Sequence, residues 1–547
     1  MDESEKQQEP QAHQPSEKTG KKPESLGTRV SKAMFWNTIL FPVKAVLHFV
    51  ASLIVANQLK IGGFGAYTSL QVAAATISLY TDLGLERSLP KFLPEVEARF
   101  GRRGVRLFLQ WILGLKFVLL LIVVSILQAG APFFASYFQL PPSQTWLITI
   151  VCILIVLGSL SNIMIQILFA FFKQKAYNLL EILTVVLQPM LTVTLVLLGY
   201  GVAGALVSLL VTTVVIVSLQ TWQALRAGRE LVPSRVRPQL RDLLGLLPRF
   251  WPYALLIYLI NISSTVYESN VPLIVLNGLG DVIGIGTLAL GAKYVREFIG
   301  FLVAPQTGVQ VPLFSRLFVQ GDQVALQKAY GGFTRLFMLA LIPTGVGLIL
   351  FSQGLIQLLF REEYAGAAVV AVVLIIGSFL DAMLGSVPHN ILMSYERYRP
   401  VIVSRVLILA TVPLIFWLAA RYSALGTAMG MSIARLAGAA VVLAYALRAF
   451  QLRFPWRFLG RVGLATAAFV AMLVPALWLG GWGIFDTTMP ATLGERAAGV
   501  LILIGLALVA GAIFIVAFKW LGGLEAEDRE RVAGLRFPLK KWILRWL

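Results

Sequence analysis

Five cations lie inside stretches that are otherwise apolar: Lys44, Lys116, Lys293, Arg296 and Arg435. A charged side chain at the centre of a bilayer costs about 2.5–3.5 kcal/mol on insertion scales. A chain that carries several must pair them or set them in a hydrated cavity. Their types suit one chemistry, because arginine grips phosphate bidentately and lysine acts on it as a point charge. At 100° per residue, Asn37, Lys44 and His48 fall within about 40° of one another, and Lys293, Arg296 and Glu297 span about 100°. The expected substrate-binding set is therefore Lys44, His48, Lys116, Lys293, Arg296 and Arg435. Acids in such stretches are few: Glu181, Glu268, Glu297 and Asp381. Glu268, Glu297 and Asp381 are the candidates for proton or sodium coupling. An excess of positive charge suits an anion such as phosphate or pyrophosphate. An exporter of organic cations needs the opposite sign.

Each of these residues also has a blander explanation. Lys116 follows the basic stretch ending at Arg106 closely enough to snorkel towards the surface. Lys293 and Glu297 have the i,i+4 spacing of a self-neutralising pair. A lone histidine such as His48 is more often a satisfied core residue.

The elements that position these groups follow from composition. Hydrophobic residues make up 58% of the 547 and charged ones 13%, with a mean hydropathy of +0.79. Soluble domains carry roughly 25% charged residues, so an ordinary soluble enzyme is excluded and lipid is the main solvent. Fourteen runs have about the 20 apolar residues that one crossing needs. Several contain proline, as bent transporter helices do. With the N-terminus inside, 37 of the 46 Lys and Arg fall in inner segments and 4 in outer loops, leaving the five above. This asymmetry satisfies the positive-inside rule and places both termini in the cytoplasm. It accounts for the net charge of +19 without a nucleic-acid partner.

The predicted fold is an all-α polytopic membrane protein of about 14 transmembrane helices, in two six-helix lobes plus a C-terminal pair. The expected divisions are a solvated tail (1–30), an N-lobe (31–225), a basic cytoplasmic linker (226–249), a C-lobe (250–450), two further helices (451–520) and a basic, amphipathic cytoplasmic end (521–547). The first thirty residues lack the apolar core of a signal peptide.

Weak internal similarity links the halves. Ile61-Gly62-Gly63-Phe64-Gly65-Ala66-Tyr67 follows the first span, and Leu279-Gly280-Asp281-Val282-Ile283-Gly284-Ile285-Gly286 follows the seventh. Gly63–Tyr67 resembles the first external turn of polysaccharide flippases. Asp82-Leu83-Gly84-Leu85-Glu86-Arg87-Ser88-Leu89-Pro90-Lys91-Phe92-Leu93-Pro94-Glu95 is similar to their second-helix exit. Pro312-Leu313-Phe314-Ser315 with Gly321-Asp322 resembles their eighth-helix exit. The resemblance is to the Wzx-type oligosaccharide flippases, in the superfamily that includes multidrug exporters and the lipid II flippase. It covers residues 30–450, and the last two helices less specifically.

That resemblance implies a V-shaped, two-lobed bundle. It also implies transfer of a polyprenyl-pyrophosphate-linked oligosaccharide to the outer leaflet of a bacterial or archaeal cytoplasmic membrane. The implied partners are the lipid-linked oligosaccharide and membrane lipids, with a glycan polymerase or glycosyltransferases beside them. These proteins often carry Asp in the seventh helix, where this chain has Glu268 within Tyr267-Glu268-Ser269-Asn270-Val271-Pro272.

Enzyme readings find little support. The chain has one cysteine, three histidines, no His-Glu-x-x-His pair and no phosphate loop ending in Gly-Lys-Ser/Thr. No cofactor is expected beyond a coupling proton or sodium ion. The alternatives are a multidrug or organic-cation antiporter on the same fold, and a non-transporting scaffold for glycan assembly.

Overall fold

The computed structural model describes residues 26–171, 173–229, 231, 245–268, 270–479 and 493–524, with side chains of the first helix described from Leu47 onward. The N-terminal tail, most of the expected linker and the basic end lie outside the described residues. Among the described residues, nine continuous helical stretches are long and apolar enough to cross a membrane. Some of these hold two crossings: Ala176–Arg229 and Tyr398–Ala449 are each interrupted midway.

Counted between their breaks, with α2 and α7 each in two halves, the long described helices number fourteen. They are α1 (26–59), α2 in halves α2a (61–80) and α2b (85–100), and α3 (102–129). Then come α4 (Leu147–Ala170), α5 (Gln174–Leu195) and α6 (Gly201–Arg229). The next, α7, is also halved, as α7a (Leu247–Tyr267) and α7b (Asn270–Gly278). It is followed by α8 (Val282–Gln320), α9 (Gln323–Leu359) and α10 (Ala367–Ser394). The last are α11 (398–421), α12 (424–449), α13 (Trp456–Leu479) and α14 (Leu493–Trp520).

The motifs that carried the resemblance lie at or beside helix breaks. Between α2a and α2b the chain passes through positive φ at Leu83 (51°) and Gly84 (75°). A Cβ on Gly84 would stand 1.8 Å from the Ala254 carbonyl of α7a, so this glycine serves both the turn and the approach of the next lobe. Asp281 caps α8 by accepting from the Gly284 amide, and Asp322 caps α9 by accepting from the Ala325 amide. Gly321, at φ 65°, ends α8 just before that second cap.

Helices α1 to α6 form one lobe and α7 to α12 the other, while α13 and α14 pack on each other and on α9. The lobes meet along two lines. Val55, Ala56, Ile61 and Phe64 of the first two helices belong to the hydrophobic core of the C-lobe. On the other line, α7a lies against α2b, where Phe250 packs edge-on to Phe92 at 5.1 Å.

Candidate functional site

The charged groups fall into three sets at similar depth. The first lies inside the N-lobe. Lys116 and Glu86 each stand fifteen residues from the turn at Gly101, roughly 22 Å along their helices, and so face each other. Lys116 Nζ is 2.7 Å from Glu86 Oε1, with side-chain exposures of 2% and 4%. It also donates to the Ser78 carbonyl at 3.5 Å. The Glu86 amide donates to Asp82 Oδ1 at 2.7 Å. Lys116 therefore does not snorkel; it is held within the lobe by an acid partner. The neighbouring Arg87 reaches the other lobe, donating to Asn261 Oδ1 at 2.6 Å.

The second set lines a cavity of about 340 Å³ inside the C-lobe. Arg435 of α12, Asp381 of α10, Arg405 of α11 and Tyr267 of α7a converge there, with His389 and Asn390 on the next turns of α10. Arg435 donates to the Tyr267 carbonyl at 2.8 Å and stacks over its ring at 5.0 Å. Its contact with Asp381 is loose, at 3.9 Å. Arg405 donates to the Tyr267 hydroxyl at 3.0 Å. Two guanidinium groups thus grip the residue at which α7 breaks. Glu268, the next residue, is exposed and is not part of the lining.

The third set lies where the lobes meet. On α8, Lys293 and Glu297 share within about 20° the face of Gly286. A Cβ on Gly286 would lie 2.6 Å from the Ile61 carbonyl of the opposite lobe. Lys293 is therefore directed to the N-lobe side, roughly 10 Å below that contact. Lys293 and Glu297 are half-buried and Arg296 is exposed. His48, half-buried on α1, shares within about 20° the face of Val55, which is buried in the C-lobe core. Lys44 is on α1, and its side chain lies outside the described residues.

Beyond this set the lobes are sewn together at one end of the bundle, the end expected from the charge asymmetry to be external. Tyr364 donates to the Ala56 carbonyl at 3.0 Å, and the Ile61 amide donates to Glu363 Oε2 at 3.1 Å. Asn57 donates to the Leu359 carbonyl at 2.9 Å. The Tyr137 hydroxyl donates to the Ile274 carbonyl at 2.8 Å. Burial pushes the Tyr137 phenol above its ordinary value. A Cβ on Gly65 would come within 3.0 Å of the Val282 carbonyl. The two glycine-rich stretches identified as an internal repeat thus pack on each other.

Several of these residues escaped the sequence reading. Arg405 counted there among the cytoplasmic loop cations, yet it sits seven residues inside α11. Asp82 and Glu86 were assigned to a helix exit, whereas α2b continues for fourteen residues beyond Glu86. Their i,i+4 spacing was the available signal. His389 and Tyr267 offered none without the fold.

A multi-pass bundle with charges buried at mid-depth and lobes joined at one end defines a membrane protein of the transporter and flippase class. The chain belongs to the polysaccharide biosynthesis protein family, which matches residues 54–369. By sequence, no individual curated protein matches. Among solved structures, the chain is similar to a lipid II flippase, MurJ, in an inward closed conformation. The TM-score is 0.65 at 14% identity, covering 87% of this chain and 98% of that one. An inward-facing multidrug resistance MATE family transporter gives a TM-score of 0.53 at 14% identity, with 74% and 94% covered. A Vibrio cholerae MATE transporter, VcmN, gives 0.50 at 13% identity, with 77% and 98% covered. These likenesses establish the fold.

Proposed function

We propose that the protein moves a polyprenyl-pyrophosphate-linked oligosaccharide from the cytoplasmic to the outer leaflet by alternating access. The observation that carries this reading is the placement of Lys293 and Arg296. They sit on the helix that joins the lobes, roughly 17–21 Å below its external end and beneath the external seam. Substrate sites of two-lobed transporters lie near the midplane at such an interface. The pyrophosphate is held there, and neutralising it lowers the desolvation cost of crossing. Lys44 and His48, on the facing helix, complete the set. The lipid tail remains in the bilayer.

Two features support the details. The family is one of polysaccharide biosynthesis, and the cation excess disfavours organic cations as cargo. The 37 to 4 distribution of Lys and Arg supports a cytoplasmic-membrane location with both termini inside. No covalent step is required of the protein, and the glycan polymerase or glycosyltransferases act before and after it. Glu297, beside Lys293, Glu268, at the break in α7, and Asp381, in the C-lobe cavity, are the acids through which a proton or sodium ion would drive return.

The test is Lys293→Ala with Arg296→Ala in a strain that depends on the protein for surface glycan. The expected result is loss of surface glycan with normal amounts of inserted protein. Normal surface glycan from the stably inserted double variant would overturn the assignment.

A further inference from the structure

The cavity inside the C-lobe is separate from the lobe interface and has its own charge balance. Two guanidinium groups, Arg405 and Arg435, face one carboxylate, Asp381. That carboxylate is too far to satisfy either, being 3.9 Å from Arg435. The lining mixes apolar Ile299, Val303 and Ile408 with neutral donors Ser386, Asn390 and Ser404, and among the described residues holds no second carboxylate. Arg405 Nε, Arg435 Nε and His389 Nδ1 are buried without a hydrogen-bond partner among the described residues. Unpaired buried charge is costly, and the cost falls when a counter-ion is taken up. The N-lobe shows the contrast, since Lys116 and Glu86 close to 2.7 Å beside the buried Asp82 and leave no excess of cations.

From this juxtaposition we infer that the C-lobe cavity is a binding site for a small inorganic anion of chloride or phosphate size, held between Arg405 and Arg435. The opposite face of α11 exposes Ile402, Val403, Val406 and Leu407, so the arginines point into the lobe and the anion comes from solution. The same two arginines hold the carbonyl and the hydroxyl of Tyr267. Tyr267 ends α7a, the half-helix that contacts the N-lobe through Asn261 and Arg249. Occupancy therefore sets the bend of α7 and, through it, the seam between α7a and the N-lobe. Asp381 competes with the anion for Arg435.

The full-length protein in phosphatidylcholine nanodiscs, with a bulky organic anion as background, is titrated with sodium chloride or inorganic phosphate while its unfolding temperature is followed. Binding to the folded state produces a saturable rise. Arg405→Gln and Arg435→Gln abolish the rise, and Lys293→Ala keeps it. Asp381→Asn, which removes the competing charge, saturates at about tenfold lower concentration. This gain is readable even if the arginine variants fold poorly. No saturable rise in the parent protein, a rise that persists in Arg435→Gln, or weaker binding by Asp381→Asn would each overturn the inference. A rise that appears only when phosphatidylglycerol is added would assign the site to a lipid headgroup and also overturn it. None of these readings depends on glycan transfer.

Discussion

The two lobes bury charge in opposite ways. In the N-lobe, Lys116 and Glu86 meet at 2.7 Å with almost no exposure, and the Glu86 amide is held in turn by Asp82. In the C-lobe, Arg435 and Asp381 stand 3.9 Å apart beside a cavity, at 19% and 30% exposure. A tight, dry pair is complete and rigid, so its task is to fix the joint between α2b and α3. A loose pair beside space keeps unused donors, so its task is to receive something. Two pairs of one cation and one carboxylate therefore carry different roles, decided by distance and room.

The sharpest way to break this comparison is Glu86→Gln. It removes the 2.7 Å partner of Lys116 and leaves only the buried Asp82 carboxylate nearby, and the expected loss of stability is about 3–5 kcal/mol. Thermal unfolding of the purified protein checks this, and Lys116→Met in the same chain should restore most of the loss. Arg435→Ala should cost less, about 1–2 kcal/mol, because the Tyr267 carbonyl loses a donor while Asp381 is left beside a cavity that water can fill. A larger loss for Arg435→Ala than for Glu86→Gln would reverse the assignment of roles. At the small end stands Arg249→Ala, which removes a pair with Glu95 in which the arginine is 62% exposed. Its unfolding temperature should match the parent's at moderate salt, because exposed pairs contribute little.

Much of this architecture was legible from the residues. Long apolar runs marked the membrane helices. The glycine-rich stretches after the first and seventh spans were visible, and their packing on each other is what such small residues permit. The pairing of charges was not legible. Lys116 finds Glu86 only because Gly101 folds α2b back along α3, a relation set by a single turn and invisible to helical spacing. Arg405 looked cytoplasmic because it follows Arg397 and Arg399 closely, while α11 begins immediately at Tyr398 and carries it inward. Tyr267 became important only when two arginines from distant helices were seen to hold it.

The lengths of α8 and α9 have one more consequence. With 39 and 37 residues they run roughly 58 and 55 Å, close to twice the thickness of the hydrocarbon core, which is about 30 Å. Because α8 is anchored at the seam between the lobes through Gly286, its far end behaves as the tip of a lever with its fulcrum near that seam. A tilt of about 5° there sweeps the far tip through about 5 Å, by the same rise per residue. A modest pull on that tip by a partner or a membrane surface is thus transmitted to the fulcrum with mechanical advantage.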